Sequence, residues 1–255
     1  MKTSVQTPYF EFETSSRTHT GHVRKFNEDS VFTNADMGIW LVADGMGGHN
    51  DGNVASAMIA DAAAVFDEPA SQLSLVENFK RKIYDVNTRL LNISNGDNAL
   101  LVGSTVIALL IEGHSFSCIW AGDSRCYLVR SGAISQVSHD HTEVQDLVDQ
   151  GTISAHEAKT WPRRNVITRA VGADHDLQLE TIVGDVRHGD CFILCSDGLT
   201  GHVSDQEIQT TVRWSRPREA CDKLIDLALE RGGKDNVSVV VVQVSVPDKT
   251  TIVQR

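Results

Sequence analysis

Along this chain, short apolar runs rich in β-branched residues alternate with polar turns, and only a few stretches show the three-and-four spacing of a helix. Strand-like runs fall at Ser30 to Thr33, Ile39 to Ala43, Ser104 to Ile111, Ser115 to Ala121 and Cys126 to Arg130. Further runs are Ile134 to Val137, Leu179 to Val183, Cys191 to Ser196 and Val237 to Val246. Gly113-His114 and Ser131-Gly132 separate neighbouring runs and read as hairpin turns. Strands joined so tightly build antiparallel sheet, since parallel pairs need long crossovers. Helical spacing runs from Leu73 to Asn95 and from Arg216 to Arg231, where Gly232-Gly233 is the stop; a third helix is expected from Val54 to Phe66. The pattern predicts an α+β layered domain, helices outside and sheets within. The polar, helix-like stretch Thr142 to Asn165 interrupts the strand series and reads as a surface insertion, a candidate lid.

Four of the apolar runs carry an aspartate at one end. Ile39 to Ala43 leads into Asp44-Gly45, Phe116 to Gly122 into Asp123-Ser124, and Cys191 to Ser196 into Asp197-Gly198, while Asp235-Asn236 opens Val237 to Val244. Any one of these pairs is an ordinary turn. Turn chemistry, however, accepts Asn or Ser as readily, and Asp occurs each time. Carboxylates gathered where rigid strands become loops repel one another unless a cation offsets them, and oxygen-only ligand sets favour hard ions such as Mg²⁺ or Mn²⁺. The residues alone therefore point to a metal-dependent enzyme.

Composition narrows the alternatives. The formal charge of −11 argues against nonspecific nucleic-acid binding, which needs clustered Lys and Arg. No apolar stretch approaches the ~20 residues of a membrane span, and the polar segment Met1 to Ser16 lacks the apolar core of a signal peptide. Expected, then, are no membrane and no nucleic-acid partner. The cysteines at 118, 126, 191, 195 and 221 read as reduced thiols of a cytoplasmic protein. None is followed six positions on by the arginine that a cysteine-nucleophile phosphatase would need.

Two loops add chemistry. Arg24 offers a planar fork of donors suited to phosphate oxygens, with Glu28-Asp29 close behind. Gly45-Met46-Gly47-Gly48 lets backbone approach a ligand closely and frees a carbonyl to coordinate metal. The motifs Gly21-His22-Val23-Arg24 with Asn27-Glu28-Asp29-Ser30, Asp44-Gly45-Met46-Gly47-Gly48-His49, Gly103-Ser104-Thr105 and Gly122-Asp123-Ser124-Arg125 are followed by Asp140-His141, Asn165 to Gly172, Ser196-Asp197-Gly198-Leu199 and Asp235-Asn236-Val237-Ser238. In this order they resemble the bacterial branch of the PP2C (PPM) family of metal-dependent serine/threonine protein phosphatases.

The resemblance implies two antiparallel sheets packed as a sandwich and flanked by α-helices. Residues 17–246 would form the phosphatase domain, with a flap at about 142–165, an N-terminal extension at 1–16 and a tail at 247–255. It implies two core ions, Mn²⁺ or Mg²⁺. Asp44 would bridge them, the Gly45 carbonyl would bind one, and Asp197 and Asp235 the other. Glu28 and Asp29 would act near the ions, partly through water, and Asp123 would help hold a third, weaker ion. Arg24 would grip the phosphate and His49 is the candidate general acid, while His141 reads as structural. A water shared by two cations would lose its proton near neutral pH and attack the phosphorus in line. Substrates would be phosphoserine and phosphothreonine proteins, the products of a cognate Ser/Thr kinase. Met46 stands where eukaryotic relatives place a histidine, and Asn53 where many members carry Glu.

Overall fold

The computed structural model describes residues 9–47, 51–65, 74–96 and 102–247. Its strands are β1 (Glu11–His19), β2 (Asp29–Asn34), β3 (Ile39–Met46), β4 (Gly103–Ser104), β5 (Val106–Glu112), β6 (Ser115–Ala121), β7 (Arg125–Arg130), β8 (Ala133–Gln136), β9 (Glu180–Asp185), β10 (Cys191–Cys195) and β11 (Val237–Ser245). They form two antiparallel sheets, ordered β1-β11-β10-β7-β8 and β2-β3-β5-β6-β9, with β4 paired to β3. Helices α1 (Asp51–Ala64) and α2 (Leu75–Gly96) belong to one outer layer, and α6 (Asp205–Arg213) and α7 (Pro217–Glu230) to the other. Short helices α3 (Glu143–Asp149), α4 (Ala155–Ala158) and α5 (Asp197–Thr200) fall between α2 and α6 in the chain.

Strand periodicity explains why the runs are apolar throughout. Successive side chains on a strand point to opposite faces, and both faces of each sheet are covered. On β3, Trp40 and Val42 meet Phe192, Leu194, Val240 and Val242 between the sheets, whereas Ile39, Leu41 and Ala43 face Ile59, Phe79 and Ile83 of α1 and α2. On β10 and β11, Ile193, Val239 and Val241 pack outward on Ile208, Leu224 and Ile225. Trp40, Trp120 and Phe192 are almost wholly buried, so truncating any of them to alanine would cost about 3–5 kcal/mol.

The structure departs from the sequence pattern in four places. β1 begins at Glu11, inside the stretch expected to be an extension up to residue 16, and pairs with β11 from Glu11↔Ser245 to His19↔Val237. Residues 11–16 therefore belong to the sheet. An edge strand held by backbone pairing needs little apolar alternation, and EFETSSRTH shows little. The run Ser104 to Ile111 is broken at Thr105, whose N–H leaves the ladder to donate to the Asp44 carbonyl at 2.8 Å. Helix α1 starts at Asp51, ahead of the expected Val54. Helix α6 was not anticipated, because only Ile208 and Val212 mark its buried stripe; a Ser204/Glu207 capping box starts it. Phe66, Leu73, Gly48 and His49 lie outside the described residues.

Candidate active site

Antiparallel pairing brings the acidic positions to one end of the sandwich. Asp29 opens β2 directly opposite Asp44 at the end of β3. In the other sheet Cys195 pairs with Arg125 and with Val239, so Asp197 just after β10, Asp123 just before β7 and Asp235 just before β11 share an end. Two glycines allow the final approach. A β-carbon at Gly198 would collide with the Asn236 carbonyl, and one at Gly45 with the carbonyl of Gly52 at the start of α1.

Several of these acidic residues are held from behind. The Asp44 N–H donates to Thr105 Oγ1 (3.0 Å), while its carbonyl accepts from Thr105 N (2.8 Å) and Ser104 Oγ (2.9 Å). Asp29 Oδ2 accepts from Ser196 Oγ (2.8 Å) and Ser238 Oγ (2.6 Å). Its Oδ1 is buried and has no partner. The Glu28 N–H donates to Asn236 Oδ1 (2.8 Å), and the Gly45 N–H to the Glu28 carbonyl (3.1 Å). Arg24 Nη2 donates to Asp235 Oδ2 at 2.7 Å in a half-exposed pair. Arg125 forks onto Asp140 through Nε (2.9 Å) and Nη2 (2.6 Å) next to Asp123.

The electrostatics follow from this crowding. Burial holds the Asp44 carboxyl well above its usual range, and the charges of Asp29, Asp197, Asp123 and Asp235 add to the effect. Burial also pushes Asp29 up to about 7 against the pull of its two serine donors. Asp123 rises to about 8, through burial and then the Asp197 and Asp140 charges. Asp197 rises through burial and Asp235, and a hydrogen bond from Asp44 partly offsets this. Like charges in a low dielectric cannot all ionise unless positive charge enters.

The set fits hard divalent cations. Its donors are all oxygen, and the orphaned Asp29 Oδ1 is a buried carboxylate atom lacking a partner. Among the described residues no three His, Cys, Asp or Glu side chains already close into a cage. Mg²⁺-type sites commonly use one or two carboxylates per ion and fill the rest with water, so an open arrangement suits them.

Of the sequence-predicted residues, Glu28, Asp29, Asp44, Gly45, Asp123, Asp197 and Asp235 come together with Arg24 at this end, and His49 lies outside the described residues. His141 Nδ1 accepts the Gly122 N–H (3.1 Å), which leaves its Nε2 proton toward Glu180 Oε1 (3.2 Å). Stacked on Trp120 and lowered in pKa by burial and by Arg169, it is neutral and braces the loop that carries Asp123. Sequence reasoning assigned no role to Ser104, Thr105, Ser196, Asn236, Ser238 or the Arg125–Asp140 fork. Arg125, Ser196, Asn236 and Ser238 lie one to three positions from a motif carboxylate, and that adjacency was the available signal; Ser104 and Thr105 lie far in sequence from any of them.

Comparison with known proteins gives consistent findings. A family model described as protein phosphatase 2C matches residues 18–230. The chain is 37% identical over 231 residues to the serine/threonine protein phosphatase PstP of Mycobacterium tuberculosis, covering 90% of this chain but 44% of that protein. The chain thus spans less than half the length of that relative. It is 35% identical to the serine/threonine phosphatase stp of Listeria welshimeri, covering 89% of this chain and 94% of that one. The crystal structure of the PstP catalytic domain in complex with two manganese ions superposes with a TM-score of 0.84 at 35% identity, covering 92% of this chain and 99% of that chain.

Proposed function

The chain belongs to the protein phosphatase 2C family, and on that premise we propose that it hydrolyses phosphoserine and phosphothreonine in proteins, using two divalent ions at the acidic end of the sandwich. The observation that carries the reading is the gathering of Asp29, Asp44, Asp123 and Asp197 at one end of the sandwich, with Asp29 Oδ1 left without a partner. Burial first and neighbouring charge second oppose their ionisation there, which bound positive charge would favour. We assign Asp44 as the bridging ligand, the Gly45 carbonyl to one ion, and Asp197 and Asp235 to the other. Glu28 and Asp29 act partly through water, and Asp123 serves a third, weaker ion. When bound, Mn²⁺ or Mg²⁺ would offset phosphoryl charge and acidify a water for attack.

The chain's own groups do the rest. Arg24 is tied to Asp235 by an exposed ion pair, a contact worth little in water, so its fork is free to exchange onto a phosphate. His49 is assigned the proton donated to the departing Ser or Thr oxygen. Ser196 and Ser238 hold Asp29, and Ser104 and Thr105 hold the Asp44 backbone. The segment 142–165, with α3 and α4 and an Arg163–Glu143 ion pair, is assigned as the flap beside the site.

The substrates fit a pair in which a serine/threonine kinase supplies the phosphoproteins. A cytoplasmic setting is supported by five free, buried cysteines; among the described residues no helix is long and apolar enough to cross a membrane. The test compares a phosphothreonine peptide with p-nitrophenyl phosphate in Mn²⁺, before and after EDTA. Expected is hydrolysis of both, abolished by EDTA. Turnover of small phosphomonoesters alone would replace the protein substrate, and no turnover in excess Mn²⁺ would leave a binding module.

A further inference from the structure

Several arginines of this surface are held in ion pairs. Arg17, Arg24, Arg125, Arg130, Arg163, Arg169 and Arg231 each meet a carboxylate. Others, Arg89 and Arg187 among them, meet no carboxylate among the described residues, but the α6–α7 connection gathers three such arginines within six positions. Arg213, Arg216 and Arg218 are exposed and, among the described residues, have no hydrogen bond or ion pair through their side chains. Between them stands Trp214, 74% exposed, with the Arg213 guanidinium 5.1 Å from its ring centroid. The turn is pinned, since Gln243 Nε2 donates to the Ser215 carbonyl (3.1 Å) and Lys223 Nζ to Ser215 Oγ (3.1 Å).

Stability does not explain this composition. Arg216 is the N-cap of α7, makes no capping hydrogen bond, and Pro217 and Arg218 follow it. Capping positions favour Ser, Thr, Asp or Asn, and the helix dipole opposes cations at that end. Beside the turn, Arg213, Val129, Val212 and Val244 help line a cavity of about 370 Å³. It opens at the end of β7 and β10 remote from Asp123 and Asp197, a strand length or ~17 Å from the acidic site.

We propose that this surface docks an acidic peptide segment of a partner protein, with its carboxylates on Arg213, Arg216 and Arg218 and an apolar side chain in the cavity. Charge complementarity selects the occupant: in a chain of net charge −11, three unpaired arginines form a local cationic patch. Arg forks carboxylates, and Trp and Arg are the residues that most often dominate interfaces. Glu13 on the cavity wall, together with Asp190, which Arg130 already neutralises, directs the ligand's charges toward the arginines. The surface lies outside the acidic site, and its test reads binding, so it stands or falls separately from catalysis.

The experiment titrates the whole chain with a fluorescein-labelled Asp/Glu-rich peptide carrying a central leucine, followed by fluorescence anisotropy. Saturable binding is expected, weakened about tenfold or more by R213E/R216E/R218E and clearly by Trp214→Ala, and weakened by added salt. Hydrolysis of p-nitrophenyl phosphate by both variants should equal the parent's, which shows that they fold. Lack of binding by the parent, or equal binding by the triple variant, overturns the proposal. So does tighter association with phosphatidylserine vesicles than with the peptide, which would make the patch a membrane contact.

Discussion

At one end of β7, β10 and β11 stand carboxylates that repel one another; beyond the other, where Arg130 and Asp190 close a pair, stand Arg213, Arg216 and Arg218, which meet no carboxylate among the described residues. Between these ends the same strands obey ordinary rules, with apolar residues on both faces. The difference teaches that unlike charge has been kept apart along one rigid sheet, at a cost to the folded state at each end. Such local violations are expected where a ligand completes the electrostatics. A direct way to sharpen the comparison is to relax each end and ask whether stability rises.

The largest effect is expected at Asp44. Asp44→Asn removes the proposed bridging charge and should lower kcat/KM for a phosphothreonine peptide by about 1000-fold or more, comparable to losing a major transition-state electrostatic contact. In EDTA at alkaline pH the same variant should melt at a higher temperature than the parent, because one buried like charge is gone. Loss of both activity and metal-free stability would mean that Asp44 is held by favourable contacts, and the comparison would break.

Most of the sandwich was legible because its strands are buried on both faces and its turns use Gly113-His114 and Ser131-Gly132, with positive φ at Gly113, Ser131 and Gly132. The clustered aspartates were legible because each closes or opens a strand, and alternation fixes which ends meet. What stayed hidden has a common cause. β1 is stabilised by pairing with β11 rather than by its own side chains, and the Ser196 and Ser238 hydroxyls on Asp29 come from segments remote in sequence. Neither leaves a local pattern. The basic turn 213–218 was plain as letters but silent as function, since only the structure shows its arginines without partners.

Arg24 gives the next effect. Its fork now rests on Asp235, so Arg24→Ala should raise KM about tenfold with a smaller change in kcat, the signature of lost substrate binding. Unchanged constants would leave Arg24 as no more than a partner of Asp235.

A smaller effect concerns pH. Asp29 and Asp123 titrate near about 7 and about 8 in the folded chain, above the usual carboxylate value. Between that value and those pH values the folded state holds more protons than the unfolded one, so stability falls as pH rises through this window. The melting temperature in EDTA should therefore decline from pH ~5 to pH ~8, and Mn²⁺ should reverse the decline. Flat melting across that window would show the cluster to be solvated.

The smallest effect tests the other end. Arg216→Asp exchanges a cation at the N-terminus of α7 for a residue that can cap it and that suits the helix dipole. Stability should rise by about 0.5–1 kcal/mol, read as a higher urea midpoint with an unchanged slope. Hydrolysis of p-nitrophenyl phosphate should not change, since the turn lies a strand length from the acidic cluster. A gain of stability at both Asp44 and Arg216 would make the two ends alike in kind, each holding charge that the fold alone does not favour. A destabilised R216D would instead show that Arg216 supports the α6–α7 turn, and the basic end would then owe its charge to folding.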